Sequence, residues 1–255
     1  MPRFFVSASQ IAVTPAGTVI SVTGDDAGHI TRVLRMKPGE HVTACDENGI
    51  EYETVVASTG QEVLLEVQSS HPSENEPPYR AVVYQALVKG DRFDTVLQKA
   101  TELGASEFVP VITSRCTVKL EKSEYRKKVE RWQRIVYEAA KQCGRAVIPV
   151  VREPMSFRDA VAEAAGCDLP LFCYEADGTR PLPLIFEEAA EMKSAAVMIG
   201  PEGGYEPAEA EFAAENGMKM TGLGKRILRT ETAAPFVLSC YPAGTNCKPV
   251  YRNFL

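Results

Sequence analysis

Three glycines fall within five residues at Gly200-Pro201-Glu202-Gly203-Gly204, directly after the apolar run AAVMIG and just before EPAEAEFAAENG. Glycines so spaced permit tight turns, positive φ and close approach of backbone to a ligand. A helix starting just after them would point its unpaired N–H groups back at the loop. A plain strand–helix turn needs one glycine rather than three. A second loop, TGLGKRILRTETA over residues 221–233, places Gly222 and Gly224 around Leu223, with Lys225, Arg226 and Arg229 nearby. Thr230 or Thr232 can cap the helix that follows, and that helix accepts Pro235 because early helical N–H groups have no partner to lose.

Several chemistries are excluded by what these loops lack. Gly222-Leu223-Gly224 has no third glycine at dinucleotide-binding spacing and sits late in the chain. No GxxxxGK[ST] occurs, and no GxSxG. The three histidines, at 29, 41 and 71, are isolated, so no metal site is expected. None lies late enough in the chain to activate a serine beside the two loops. Cys143, before Gly144-Arg145, reads as a buried structural cysteine ahead of a nucleophile.

The elements that position the loops follow from periodicity. Residues 1–70 read as a small β-rich module. HVTACDE and IEYETVVAS flank Asn48-Gly49, a strong hairpin signal, and EVLLEVQSS follows as another strand. One helix is expected around 25–35, capped by Asp25 or Asp26 and ended by Lys37-Pro38-Gly39. HPSENEPP, residues 71–78, reads as a linker. The rhythm then changes. Strands are expected at RAVVYQAL, FVPVIT, VIPVV, LPLFCYE, AAVMIG and KMTGLG. Helices are expected at DRFDTVLQKATELG, SEYRKKVERWQRIVYEAAKQCG, FRDAVAEAAG, EPAEAEFAAENG and ETAAPFVLSCY. Such alternation means an α/β fold with a parallel sheet, whose ligands bind in loops beyond the carboxyl ends of the strands. The expected domains are 1–72 and 73–255.

Composition agrees. The chain has 255 residues, 45% hydrophobic and 24% charged, values that exclude a disordered chain, a collagen or a coiled coil. No apolar run reaches the roughly 18 residues of a membrane helix, and MPRFFVSASQ has no secretory pattern. Seven scattered cysteines, with no CxxC pair, fit a reducing, cytoplasmic location. The net charge of −6 resides in residues 1–75, while residues 115–134 hold 8 basic against 3 acidic residues. That run is either a solvated helix face or a phosphate-contacting surface.

MPRFF, HITRVLRMKPGE, KGDRFDTVLQKATELGA, SRCTVKL, QCGRAVIP, IGPEGGYEPAE and LGKRILRTETA, in order from residue 1 to about 240, resemble the 16S ribosomal RNA uracil-N3 methyltransferases of the SPOUT (alpha/beta-knot) superfamily. The resemblance implies a PUA-like N-terminal β-barrel that binds RNA and a C-terminal domain with a trefoil knot. It implies S-adenosyl-L-methionine as cofactor, a homodimer through the knot domain, and 16S ribosomal RNA of the small subunit as partner; no membrane and no metal are expected, from the apolar runs and isolated histidines noted above. Where the family has Phe then Ser or Thr after GPEGG, this chain has Tyr205-Glu206, which exchanges a hydroxyl cap for a negative charge near a helix N-terminus.

On this resemblance the cofactor contacts are Met198, Ile199, Gly200, Pro201, Gly203, Gly204, Leu223, Gly224, Ile227, Leu228, Thr230 and Ala233. Glu202 is the candidate base for the uridine N3 proton, or else a helix cap. Arg145 and Arg229 are candidate stabilisers of the developing charge on O2 and O4, with a Glu231 salt bridge the structural alternative for Arg229. Arg3, Arg32, Arg35, Lys37, Lys89 and Arg92 are the candidate RNA contacts, Arg32 and Arg35 sharing a helix face at spacing three. Competing readings are another RNA acceptor (a tRNA ribose or base), a non-catalytic ribosome-assembly factor, and a nicotinamide-dependent oxidoreductase. The last would want GxGxxG after the first α/β strand, where RAVVYQALVKGDR has one glycine.

Overall fold

The computed structural model describes residues 1–15, 17–176, 178–189 and 192–241. Cys247, and the part of the expected second domain after residue 241, lie outside the described residues. Two compact units form, Met1–Glu76 with Ala140–Ile148, and Pro77–Ala139 with Pro149–Leu255.

The first unit is built on β1 (Arg3–Phe5), β2 (Ile11–Thr14), β3 (Gly17–Val22), α1 (Gly24–Gly28), β4 (His41–Cys45), β5 (Ile50–Ser58) and β6 (Val63–Pro72). Its sheet runs β1-β4-β5-β6-β3-β2, antiparallel except for the β1–β4 pair. The Asn48-Gly49 hairpin forms as read, with Gly49 at φ +75. Phe4, Ile20, Ile30, Val42, Leu65 and their neighbours fill the core.

Two readings change here. The expected linker begins two residues late, because His71 and Pro72 extend β6 and pair with Glu51 and Ile50. The expected helix over 25–35 starts at Gly24 behind Thr23, whose side chain makes no capping hydrogen bond, carries Asp25 and Asp26 in its first turn rather than as caps, and gives way to a wide π turn over His29–Val33. The N–H groups of Leu34 and Met36 then reach back to the carbonyls of His29 and Ile30, and Arg35 takes φ +54. A left-handed non-glycine residue ends the regular repeat, so Arg32 and Arg35 do not share a face through helical spacing.

The segment Ala140–Ile148 is tied into this unit by one carboxylate. Glu76 accepts from Arg145 Nη2 at 2.6 Å and from the N–H groups of Ala146 at 2.9 Å and Val147 at 3.1 Å.

The second unit contains β7 (Arg80–Ala86), α2 (Arg92–Glu102), β8 (Glu107–Ile112), α3 (Lys122–Cys143), β9 (Val150–Val151), β10 (Met155–Ser156), α4 (Phe157–Ala164), β11 (Leu169–Cys173), β12 (Arg180–Pro181), α5 (Leu182–Glu188), β13 (Ser194–Ile199), α6 (Pro207–Glu215), β14 (Lys219–Gly222) and α7 (Thr230–Cys240). The sheet runs β10-β8-β7-β13-β11-β14-β12, with β9 also on β8, and every pairing is parallel. The α/β alternation and the parallel sheet are as the sequence predicts. Helix α5 goes unread in the sequence because PLPLIFEE, residues 181–188, carries two prolines, yet the second, Pro183, falls in the first turn of the helix, where its missing N–H costs nothing.

A charged network crosses this unit. Tyr84 donates to Glu163 at 2.9 Å, Arg152 bridges Glu163 and Glu107, and Arg80 pairs with Glu107. The Arg152 hydrogen bond holds the Glu163 carboxyl below its usual value of 4.5. A depressed carboxylate stabilises the fold above its unfolded pKa, and that contribution is lost as pH falls through the lower folded value. Urea midpoints measured between pH 7 and pH 3 should therefore fall more steeply for the native chain than for Glu163→Gln. Parallel pH dependences would refute this role for the network.

Candidate active site

Four adjacent strands, β7, β13, β11 and β14, end on one edge of the sheet. Parallel neighbours necessarily place their carboxyl ends together, so the loops that follow them meet. They enclose a cavity of about 700 Å³. Ile199, Leu223, Leu228 and Ala233 supply its apolar lining, and Glu175, Glu202, Glu231, Arg92, Lys225, Arg226 and Arg229 its charges.

The glycine loop after β13 is fixed from both sides. Tyr205 is buried, its ring 4.3 Å from that of Phe172 and 5.8 Å from that of Phe157. A Cβ on Gly200 would lie 3.1 Å from the Tyr205 ring, and one on Gly204, already at φ +66, would lie 3.0 Å from Glu175 Oε1. On the other side Arg115 forks onto Glu206, at 2.8 and 3.1 Å, and donates to the Gly203 carbonyl at 2.8 Å. Glu209 accepts from the Glu206 N–H at 2.9 Å and from the Ser114 N–H at 2.8 Å. Tyr205-Glu206 thus replaces the hydroxyl cap with a packed ring and an ion pair.

The second loop is held at both ends. Thr221 Oγ1 donates to the Arg180 carbonyl at 3.0 Å. A Cβ on Gly222 would lie 2.7 Å from Thr179 Oγ1. The N-cap of α7 is Arg229, so neither Thr230 nor Thr232 caps it. Thr230 Oγ1 instead donates to the Gly200 carbonyl at 2.7 Å and accepts from Gln85 at 2.9 Å, joining the two glycine loops to β7.

Glu202 is engaged within this arrangement. Its Oε1 accepts from Arg92 at 2.7 Å and from the Lys89 N–H at 3.1 Å. Burial pushes its carboxyl up, but these donors and its own N–H prevail and hold it below the usual range. A carboxylate so held is a poor proton acceptor. Glu231 differs, because its Oε2 is buried with no hydrogen-bond partner among the described residues. An unmatched buried acceptor lining a cavity is what a bound donor would satisfy.

Of the residues expected at the cofactor, Ile199, Gly200, Pro201, Gly204, Leu223, Gly224, Ile227, Leu228, Thr230 and Ala233 line the cavity, as do Glu202, Arg229 and Arg92. Met198 and Gly203 do not. Met198 is wholly buried in the sheet core, because side chains alternate faces along a strand, and a Cβ on Gly203 would face Arg115 at 3.6 Å. Arg145 does not line the cavity; it is 4% exposed and paired with Glu76. Arg3 is likewise engaged, by Glu51 and by Cys45 Sγ at 2.9 Å, whereas Arg32, Arg35, Lys37 and Lys89 are exposed. Missing from the sequence reading is the loop after β11, where Tyr174, Glu175 and Thr179 line the cavity. Its signal was present, since LPLFCYE is a strand of the same parallel sheet and its carboxyl end must open on the same edge.

The described cysteines are all free, and burial raises Cys173, at the cavity, to about 12. Among the described residues no group of three or more His, Cys, Asp or Glu could hold a metal ion, and no helix is long and apolar enough to cross a membrane.

This sheet-edge cavity lies in a stretch, residues 75–241, that matches the family model of an RNA methyltransferase domain, and residues 22–68 match that of an RNA methyltransferase PUA domain. The chain is 33% identical over 244 residues to the ribosomal RNA small subunit methyltransferase E of Bacillus subtilis, covering 94% of this chain and 95% of the relative. It is 32% identical to the protein of that name from Synechocystis, covering 92% and 77%. The crystal structure of a ribosomal RNA small subunit methyltransferase E from Neisseria gonorrhoeae bound to S-adenosyl methionine superposes with a TM-score of 0.80 at 31% identity, covering 94% and 95%. The chain belongs to the ribosomal RNA small subunit methyltransferase E family.

Proposed function

We propose that this chain is a SPOUT-type, S-adenosyl-L-methionine-dependent methyltransferase that modifies N3 of a uridine in 16S ribosomal RNA. The observation that carries it is the cavity at the carboxyl ends of β7, β13, β11 and β14, built from the two glycine loops, in a chain of this family. The cavity fits the cofactor. Gly200 and Gly222 line it with no room for a Cβ, which would come to 3.1 Å from the Tyr205 ring and 2.7 Å from Thr179 Oγ1, the lining is part apolar, and Glu231 Oε2 is a buried acceptor without a partner among the described residues.

The cofactor supplies an electrophilic methyl group on a sulfonium. The chain's own residues position and stabilise. Arg229, exposed at the cavity with no side-chain partner among the described residues, faces the negative charge that develops on O2 and O4 as N3 loses its proton. Glu202 anchors Arg92 and the Lys89 backbone to the glycine loop, and Glu231 is the better-placed acceptor for a proton or a ligand donor. The trefoil knot, a barrel closed by the first unit and a cytoplasmic location are part of this reading. So is a homodimer through the knot domain, for which exposed Leu103, just after α2, and Phe236, on the helix α7 packed against α2, speak. The division at 72/73 into RNA-binding and catalytic domains is proposed with it, subject to Ala140–Ile148 packing with the first unit.

Mass spectrometry of ribosomal RNA from a deletion strain tests the reading. One methyluridine should disappear from 16S RNA and return on complementation. Loss of a tRNA modification instead, or no loss at all, would favour another acceptor or a non-catalytic role.

A further inference from the structure

Between Gly222 and Thr230 the second loop is anchored at both ends, yet its middle is bare. Lys225, Arg226 and Arg229 line the mouth of the cavity, are exposed, and have no side-chain partner among the described residues. Between them Ile227 is 82% exposed. Three unpartnered cations within five residues, in a chain of net charge −6, mark this rim for a polyanion. The same cations argue against a second copy of this rim, since a two-fold axis there would set like charges against each other.

Resting on the reading of an RNA methyltransferase, we propose that this rim grips the RNA strand around the target nucleotide. Lys225 and Arg226 neutralise the flanking phosphates, and Ile227 enters the base stack in place of the extruded uridine. N3 lies on the pairing edge of uracil, so the base must leave its stack to reach the cavity. An exposed apolar side chain flanked by cations is suited to fill the gap, as apolar wedges do in bent nucleic acids.

The test uses the full chain with S-adenosylhomocysteine and an RNA fragment carrying 2-aminopurine at the target position. The native protein should raise the fluorescence as the base unstacks. Ile227→Ala should lose most of that rise at saturating protein, with RNA affinity within about threefold. In Lys225→Ala/Arg226→Ala the slope of log affinity against log salt should fall by about 1.4, two phosphate contacts on a single strand. An unchanged slope would overturn the phosphate assignment. Full fluorescence from Ile227→Ala would overturn the wedge. A more than tenfold loss of S-adenosylhomocysteine affinity in either variant would give the rim to the cofactor, and an Ile227→Asp protein that changes oligomeric state with RNA affinity intact would give it to a second copy. Failure of the function itself looks different, because the native chain would then leave 16S RNA unmethylated.

Discussion

Gly200→Val is expected to lose affinity for S-adenosylhomocysteine on the order of a hundredfold, about 3 kcal/mol. Even a bare Cβ at this position would come to 3.1 Å from the Tyr205 ring. That ring cannot retreat, because it is packed on Phe172 and Phe157 in the core. The added branches must then push the glycine loop towards the cavity. Gly222→Val should behave alike, with Thr179 Oγ1 at 2.7 Å from the added Cβ. Gly203→Ala is the control. Its Cβ meets only Arg115, at 3.6 Å, so affinity should stay within about threefold. Calorimetric titration with circular dichroism and melting on the same samples separates lost binding from lost folding. Native affinity in a folded Gly200→Val protein would remove the cavity from consideration.

Arg229→Ala should lower the methylation rate on the order of a hundredfold while S-adenosylhomocysteine binding stays nearly native. Its guanidinium stands at the cavity and has no partner among the described residues, so removing it breaks no ion pair in the folded chain. Arg145→Ala should do the reverse. It leaves the Glu76 carboxylate without its guanidinium, which costs on the order of 3 kcal/mol of stability. That appears as a melting temperature lowered by several degrees. Single-turnover rates, normalised to folded protein, and thermal melts would distinguish the two. An Arg229→Ala enzyme with a normal rate, or an Arg145→Ala protein with normal stability, would overturn the respective assignment.

The sequence by itself determined the α/β alternation, the Asn48-Gly49 hairpin and the two loops that hold the cavity. Each is written locally, as periodicity, a turn dipeptide or clustered glycines, and local signals survive any tertiary context that does not oppose them. The tertiary structure decided which groups are free to act. Glu202, Arg145 and Arg3 each carry a charge suited to chemistry, and each is engaged by a partner 110, 69 or 48 residues away. Ion pairing of that range depends on strand order, which no local pattern encodes. Thr230 reads as a cap but serves as a clasp, because β7 and β13 are neighbours only in the folded sheet. Met198 does not line the cavity for a similar reason, since it packs in the core with Phe157, Ala160, Ala210 and Ala213 from α4 and α6, helices that only the folded chain brings against β13.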